Sequence, residues 1–357
     1  MIVVIADDLS GAAELAGIAH ACGLRTEVQT SFVGETDAEV VCLDTDTRLC
    51  SDTEARHIVT IIARQVAASK PEWIYKKCDS VLRGHVRTEI QAIMKAAKLS
   101  HAMLISANPS RGRIIRGGEY FVHEQLLHET EFSRDPTHPR TVSQVMKILG
   151  GDLSEIDAPD AQSADDLKRY ASVMDMPRTL AAGASEFFRT ILEARGICRV
   201  SPDLKKPKPV RATLMVCGSA TSWSRRSSQA ASRGYRSFAL PHDEVALAAS
   251  LTDQKFALIG IGDSSATSGK SSCALMESLT KSVTRLLRQT PVTHLLLEGG
   301  ATATAVVQAL GFTRWCVEQP YAPGIEAMSP IHEEGPIFSM KPGSYDWPEQ
   351  CWPSQKS

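Results

Sequence analysis

The stretch "IVVIADDLSGAAELAGIAHACG", residues 2–23, decides the fold class. An apolar run ends at two acids and a small-residue turn, and apolar positions then recur at helical spacing up to a terminal glycine. That is a buried strand, a polar turn and a helix. The alternation continues outward. "AEVVCLDT" (38–45), "EWIYKKCDS" (72–80) and "HAMLISA" (101–107) read as strands, with "TEARHIVTIIARQVAAS" (53–69) and "RTEIQAIMKAAK" (87–98) as helices between them. Such alternation predicts a largely parallel sheet with helices on both faces.

Beyond residue 107 the pattern loosens. "ANPSRGRIIRGG" (107–118) is a glycine-rich basic connection, and "EYFVHEQLLHETEFSRDPTHPRT" (119–141) is a long polar stretch, either a substrate-facing insertion or an ordered surface loop. Residues 152–158 and 186–195 continue the first domain, with "SADDLKRYASVM" (163–174) supplying a helix between them. "SPDLKKPKPVR" (201–211) is the linker candidate, because proline and lysine interrupt the apolar pattern. After it, "TLMVCGSA" (213–220), "KFALIGIGD" (255–263) and "THLLLEGG" (293–300) read as strands, with helices at 273–289 and 301–311. The expectation is an α/β protein of two domains, 1–205 and 206–357, with mainly parallel or mixed sheets flanked by helices. A length of 357 residues exceeds what one core usually organises.

Bulk charge narrows the function. Lys plus Arg is 39 against 41 Asp plus Glu, a net charge of -2, and basic residues are not interleaved with an aromatic stacking surface, so nucleic acid is not an expected partner. No apolar run reaches the roughly 18 to 20 residues of a membrane span. The first residues lack the basic and cleavage regions of an export signal. The nine cysteines form no CxxC pair, which fits a reducing cytoplasm and offers no zinc spacing.

Several turns carry chemistry. Asp7 and Asp8 follow the first strand, where paired carboxylates accept a proton, orient a hydroxyl, bind a cation or simply cap backbone amides. Asp79, Ser80 and Arg83 surround a second strand-to-helix turn. Arg83 has the planar fork that binds a carboxylate bidentately, and Ser80 can meet a hydroxyl; a helix cap flanked by solvated charge is the plainer alternative. Gly218 and Ser219 in "MVCGSATS", and Gly299 and Gly300 in "LLLEGGATATA", end apolar strands where backbone donors can face phosphate. Tight packing alone explains those glycines equally well. "GDSSATSGKS" (262–271) imitates a P-loop, but Ser264 stands where the first glycine belongs and Gly262 comes two residues early. Gly269, Lys270 and Ser271 are therefore an ordinary helix entry or a peripheral phosphate contact.

Taken together and in order, "IADDLSGAAE", "YKKCDSVLRGHVRTEI", "FSRDPTHP", "DAPDAQSADDL", "CGSATS", "LLLEGGATATAVVQALG" and "MKPGSY" resemble the four-carbon acid sugar kinases, typified by threonate, erythronate and oxo-tetronate kinases. The resemblance spans nearly the whole chain. It implies an N-terminal domain that binds the sugar acid, a C-terminal domain that binds ATP, a cleft between them and phosphoryl transfer to a hydroxyl, the terminal one in the family's usual reaction. It puts Asp7, Asp8, Asp79, Ser80 and Arg83 at the substrate without settling the roles of the aspartates; on chemical grounds Arg83 is the expected carboxylate clamp, and Asp8 is slightly favoured over Asp7 and Asp79 as proton acceptor. It puts Gly218, Ser219, Gly299, Gly300, Gly324, Lys341 and Gly343 at ATP. Mg2+ accompanies the nucleotide, with its protein ligands unassigned. Homo-oligomers are compatible with the resemblance.

Two departures stand out. The family's Lys-Ser-Gly-Asn-Phe-Gly is here Lys341, Pro342, Gly343, Ser344, Tyr345 and Asp346, and Arg111, Arg113 and Arg116 form a dense basic set that suits a more anionic substrate or is solvated charge. A dehydrogenase is disfavoured because no GxGxxG loop follows the first strand. The alternative of a different class is a noncatalytic protein that binds the sugar acid or nucleotide and regulates.

Overall fold

The computed structural model describes residues 1–135, 137–151, 153–198, 212–263, 271–322, 324–341 and 346–353. The chain divides into two compact units, Met1–Pro202 and Asp203–Ser357.

The first unit opens with β1 (Ile2–Ala6), α1 (Leu9–Ala21), β2 (Thr26–Gln29), β3 (Val40–Asp44), α2 (Asp52–Ala68), β4 (Trp73–Lys77), α3 (Val86–Ala97) and β5 (His101–Ile105). It continues with β6 (Arg113–Arg116), β7 (Glu119–Val122), β8 (Gln125–Leu126), α4 (Val145–Ile148), β9 (Ile156–Asp157), α5 (Ala164–Val173), β10 (Thr179–Gly183) and α6 (Ser185–Ala194). Its main sheet has the order β2-β3-β1-β4-β10-β5-β9, and these pairs are all parallel. β1, β3 and β4 are buried at every position, as expected of strands covered on both faces. α1 packs beside α6, and α2 beside α3.

Local chemistry fixes the helix starts. Ser51 and Glu54 form a capping box on α2, Ser163 and Asp166 another on α5, and the Asp8 carboxylate accepts the Gly11 N–H to start α1. The strand β10, "TLAAG", lies between β4 and β5 and was not apparent in the sequence reading. Its Gly183 has φ +149, and a Cβ there would stand 1.9 Å from the Ile105 carbonyl oxygen, so the close approach of two strand ends requires glycine.

The polar stretch after β5 is ordered: β6, β7 and β8 form a small antiparallel sheet. Cys22 is disulfide-bonded to Cys198, a pairing that cysteine spacing did not signal and that departs from the expectation of reduced thiols.

The second unit contains β11 (Thr213–Cys217), α7 (Ala220–Ser232), β12 (Ser237–Ala239), α8 (Glu244–Asp253), β13 (Phe256–Gly260), α9 (Ser272–Gln289), β14 (His294–Glu298), α10 (Gly300–Leu310), β15 (Arg314–Ala322), β16 (Ile325–Pro330) and β17 (Ile337–Lys341). The order is β12-β13-β11-β14-β17-β16-β15, parallel through β17 and antiparallel beyond it. Both units are thus α/β, the first all-parallel in its main sheet and the second mixed. No described helix is long and apolar enough to cross a membrane.

Candidate active site

In a parallel sheet, ligands gather at the carboxyl ends of the strands, where the chain leaves in opposite directions. In the first unit that place is the end of β1, flanked by β3 and β4, with Ala6 level with both Asp44 and Lys77. Asp7 and Asp8 leave β1 there. Asp79 follows β4, and Arg48 follows β3.

Arg48 ties the turns together. Its Nε and Nη2 donate to the two Asp7 oxygens at 2.9 Å each, its Nη1 donates to Asp8 Oδ2 at 2.7 Å, and Nη1 lies 3.9 Å from Asp79 Oδ2. Arg83 is similarly engaged: Nε and Nη2 donate to Asp79 at 3.0 and 2.8 Å, and Nη1 to Asp135 Oδ2 at 3.1 Å. Asp79 Oδ1 also accepts the backbone N–H groups of Val81 and Arg83. The Ser80 hydroxyl accepts from Arg113 Nη1. Asp7, Asp8, Asp79, Ser80 and Arg83 therefore stand in one charged network. Gly84 belongs to its wall, because at φ +85 a Cβ would come within 2.9 Å of Asp7 Oδ2.

Burial raises the Asp7 carboxyl, but Arg48 and then Lys76 outweigh it and leave it below the ordinary range. Burial likewise raises Asp79, and Arg48 followed by Arg83 outweighs it and holds the carboxyl well below the ordinary range. Asp44 goes the other way: buried and close to Asp8, Asp46 and Asp7, its carboxyl is pushed well above the usual value. Below the network, Lys76 pairs with Glu89, which also accepts from Thr47 Oγ1 at 2.8 Å. Lys77 lies 3.7 Å from Glu14.

The basic set does not act as one group. Arg111 reaches Glu14 at 3.4 Å, and Arg116 lies 3.6 Å from Glu124 with its guanidinium over Phe121. Arg113 is hydrogen-bonded to the site, at Ser80. Arg48 was not singled out from sequence. Its partners are some 40 residues away, and the available signal was that "DTDTRL" leaves a buried strand just as "ADDL" does.

In the second unit, Cys217, Glu298 and Lys341 are level across β11, β14 and β17. Gly218 and Gly299 follow the first two strands directly. A Cβ at Gly218 would stand 2.0 Å from Thr302 Oγ1, and Gly299 adopts φ +95 while its N–H donates to the Lys341 carbonyl at 2.9 Å. Ser219 caps α7 by accepting the Ser222 N–H and lies 2.8 Å from Thr221 Oγ1. Gly300 begins α10. Gly324, at φ +81, turns β15 into β16, which pairs antiparallel with β17, so this turn heads toward the sheet end that carries Lys341. Gly218, Ser219, Gly299, Gly300 and Lys341 are brought together. Gly343 lies outside the described residues, as do Ser264, Gly269 and Lys270, while Ser271 caps α9.

Beneath these loops is a buried ion cluster. Arg226 Nε donates to Glu298 Oε2 at 2.6 Å, Lys341 Nζ lies 3.0 Å from Glu298 Oε1, and Trp347 Nε1 donates to Glu298 Oε2 at 3.2 Å. Burial lowers the Lys341 ammonium to about 8, Glu298 opposing and Arg226 assisting the shift.

Residues 2–189, more than half of the chain, match the family described as the sugar-binding N-terminal domain. The chain belongs to this sugar-binding family. A D-erythronate kinase of Heliobacterium modesticaldum is 28% identical over 274 residues, covering 66% of this chain and 61% of the relative. A D-threonate kinase of Salmonella typhimurium is 31% identical over 150 residues, 41% of this chain and 36% of the relative. These alignments therefore span less than two thirds of either relative. A 3-oxo-tetronate kinase of Cupriavidus necator is 24% identical over 416 residues, covering 97% of this chain and 94% of its own.

Among solved structures, a Haemophilus influenzae protein superposes with a TM-score of 0.76 at 18% identity, covering 98% of each chain. A Salmonella typhimurium protein superposes at 0.81 and 19% identity, covering 98% of this chain and 97% of its own. At these identities the solved structures establish the α/β fold alone. The family-level resemblance of the sugar-binding chain to four-carbon acid sugar kinases is supported by the curated relatives and by the ordered motifs.

Proposed function

We propose that this protein transfers the γ-phosphate of ATP to a hydroxyl, the terminal one by family resemblance, of a four-carbon sugar acid such as threonate or erythronate. The observation that carries the reading is the network in which Asp7, Asp8 and Asp79 share Arg48 and Arg83 at adjoining strand ends of a sugar-binding domain. The first unit, residues 1–205 in this reading, holds the acid. The second, residues 206–357, holds ATP, and the cleft expected between them is part of the proposal.

The chemistry asks for an acceptor of the substrate hydroxyl's proton, an aligned hydroxyl and fixed donors around the phosphates. Asp8 remains the favoured proton acceptor. Asp7 is held bidentately by Arg48, and Asp79 accepts from two backbone N–H groups and Arg83, whereas Asp8 combines one arginine contact with contacts to Gly11 and Ser10. Ser80 orients a substrate hydroxyl, and Arg83, the expected clamp, stands beside the place of the substrate carboxylate with its guanidinium donating to Asp79 and Asp135.

In the second unit the glycine turns at 218 and 299–300 offer backbone donors to the phosphates at the starts of α7 and α10. Gly324 and Gly343 are further members of this nucleotide set, and Lys341 supports it through Glu298 and Gly299. Mg2+ would accompany the ATP phosphates. Among the described residues no group of three or more His, Cys, Asp or Glu is arranged to hold a metal, so we assign it no protein ligand. A cytoplasmic location and homo-oligomeric assembly complete the proposal.

A product-resolved assay with ATP and Mg2+ against D- and L-threonate, D- and L-erythronate and their oxo-acids tests the reading. A phosphorylated acid with matching ADP supports it. Sugar-acid or nucleotide binding without product replaces it by the noncatalytic alternative.

A further inference from the structure

The substrate-facing network is short of positive charge. Asp7, Asp8, Asp79 and Asp135 are four carboxylates, and the arginines bound to them are two, Arg48 and Arg83. Every nitrogen of Arg83 that points toward the network already donates to Asp79 or Asp135. Lys76 and Lys77 have their own acids in Glu89 and Glu14. An anionic ligand entering here meets an excess of carboxylate unless other cations face it.

Two arginines supply that charge. Arg113 donates to the Ser80 hydroxyl, and its guanidinium carbon lies 5.7 Å from the centroid of Phe132, whose ring Arg83 also approaches, at 6.0 Å. Arg140 is anchored beside the same residue, its backbone N–H donating to the Phe132 carbonyl at 2.9 Å. Its side-chain Nε is buried and has no hydrogen-bond partner among the described residues. Burial lowers this guanidinium, Asp79 and Asp135 oppose the shift, and Arg83 reinforces it, so Arg140 lies within the field of the network without a hydrogen-bonded carboxylate at Nε. A buried donor left unsatisfied is costly, and a ligand carboxylate is the group that satisfies it best.

We propose that Arg113 and Arg140, both adjoining Phe132, bind the carboxylate of the four-carbon sugar acid, while Arg83 chiefly orders Asp79 and Asp135 at the edge of that subsite. The inference rests on the acid-sugar reading above. It adds two specificity-determining residues, Arg113 from the basic connection at 107–118 and Arg140 from the polar stretch at 119–141 that is open between a substrate-facing insertion and a surface loop.

The test is calorimetric titration of the full chain with D- and L-threonate and D- and L-erythronate, with and without a nonhydrolysable ATP analogue. Parent, Arg113→Gln, Arg140→Gln and Arg140→Lys proteins are compared, with Arg116→Ala as the control from the outer side of the same sheet. Loss of a charged hydrogen bond predicts that each Gln variant binds the acid about 10- to 100-fold more weakly. Arg140→Lys should recover part of that loss, Arg116→Ala should match the parent, and nucleotide affinity should be unchanged throughout. Equal thermal midpoints identify folded variants, and Arg113→Ala and Arg140→Ala replace any Gln variant that fails this check. If the parent binds an acid and both Gln variants bind it within twofold of the parent, the subsite is overturned while the acid-sugar reading stands. If the parent binds none of the four acids, both fall together.

Discussion

The two ion clusters at the strand ends differ in how far their cations are exposed. In the first unit four carboxylates surround two arginines, and the arginine side chains remain reachable, 17% exposed at Arg48 and 30% at Arg83. In the second, Glu298 is shared by Arg226 and Lys341, all three side chains 0% exposed, and Arg226 also meets Asp346 at 3.0 Å. The difference separates two ways of building a binding surface. The charged side chains of the first unit are themselves the proposed contact with substrate. Those of the second are buried beneath glycine turns, and in the proposed reading the backbone of those turns meets the nucleotide.

That contrast is open to breakage. The largest effect should come from the proton acceptor. Replacing the true acceptor among Asp8, Asp7 and Asp79 by Asn should lower turnover by about 10²- to 10⁴-fold with little change in ATP affinity. Steady-state kinetics on the three single variants decides which it is; unchanged turnover in all three would remove the assignment. Next is the second cluster as a brace. Glu298→Gln removes the carboxylate that Arg226 and Lys341 share, leaving Arg226 its contact with Asp346 at 3.0 Å, and by analogy with broken buried pairs should cost about 3–5 kcal/mol in denaturant unfolding. A loss below about 1 kcal/mol would mean that the cluster is not a brace.

Arg83→Ala should weaken acid capture by about 10- to 100-fold through release of Asp79 and Asp135, with ATP affinity preserved. The KM values for the two substrates, measured separately, check this. The smallest effect concerns pH. Lys341 is charged below about 8 in the folded chain, whereas an unfolded lysine keeps its proton to about 10.4. Between those values the unfolded state binds the extra proton, so the lysine's contribution to stability becomes more favourable as pH rises. Over the same interval Glu298 loses one counter-charge, and ATP affinity should fall by less than about tenfold, or 1.4 kcal/mol. Lys341→Met should flatten both profiles.

Much of the first unit was legible because its strands are unbroken apolar runs ending at acids or small residues. Asp7, Asp8 and Asp79 could be placed at turns for that reason. Arg48 could not, since its role depends on β3 lying beside β1, a pairing that periodicity does not reveal. β10 escaped because "TLAAG" is short and made of small residues, and its place between β4 and β5 is a tertiary fact. In the second unit the glycine turns were visible, whereas the antiparallel β15, β16 and β17 lay hidden in a tail punctuated by proline and glycine. Glu298 looked like the polar end of a strand until Arg226 and Lys341 converged on it. The P-loop imitation shows the converse: local composition suggested phosphate, and the glycine spacing argued against it.

Hydrogen–deuterium exchange of the full chain with ATP and Mg2+ alone tests the division of labour most directly. The account predicts slowed exchange at 218–222 and 299–302, with 44–48 and 79–84 unaffected until a sugar acid is added. Nucleotide protection at 44–48 and 79–84 without protection at the glycine turns would contradict it.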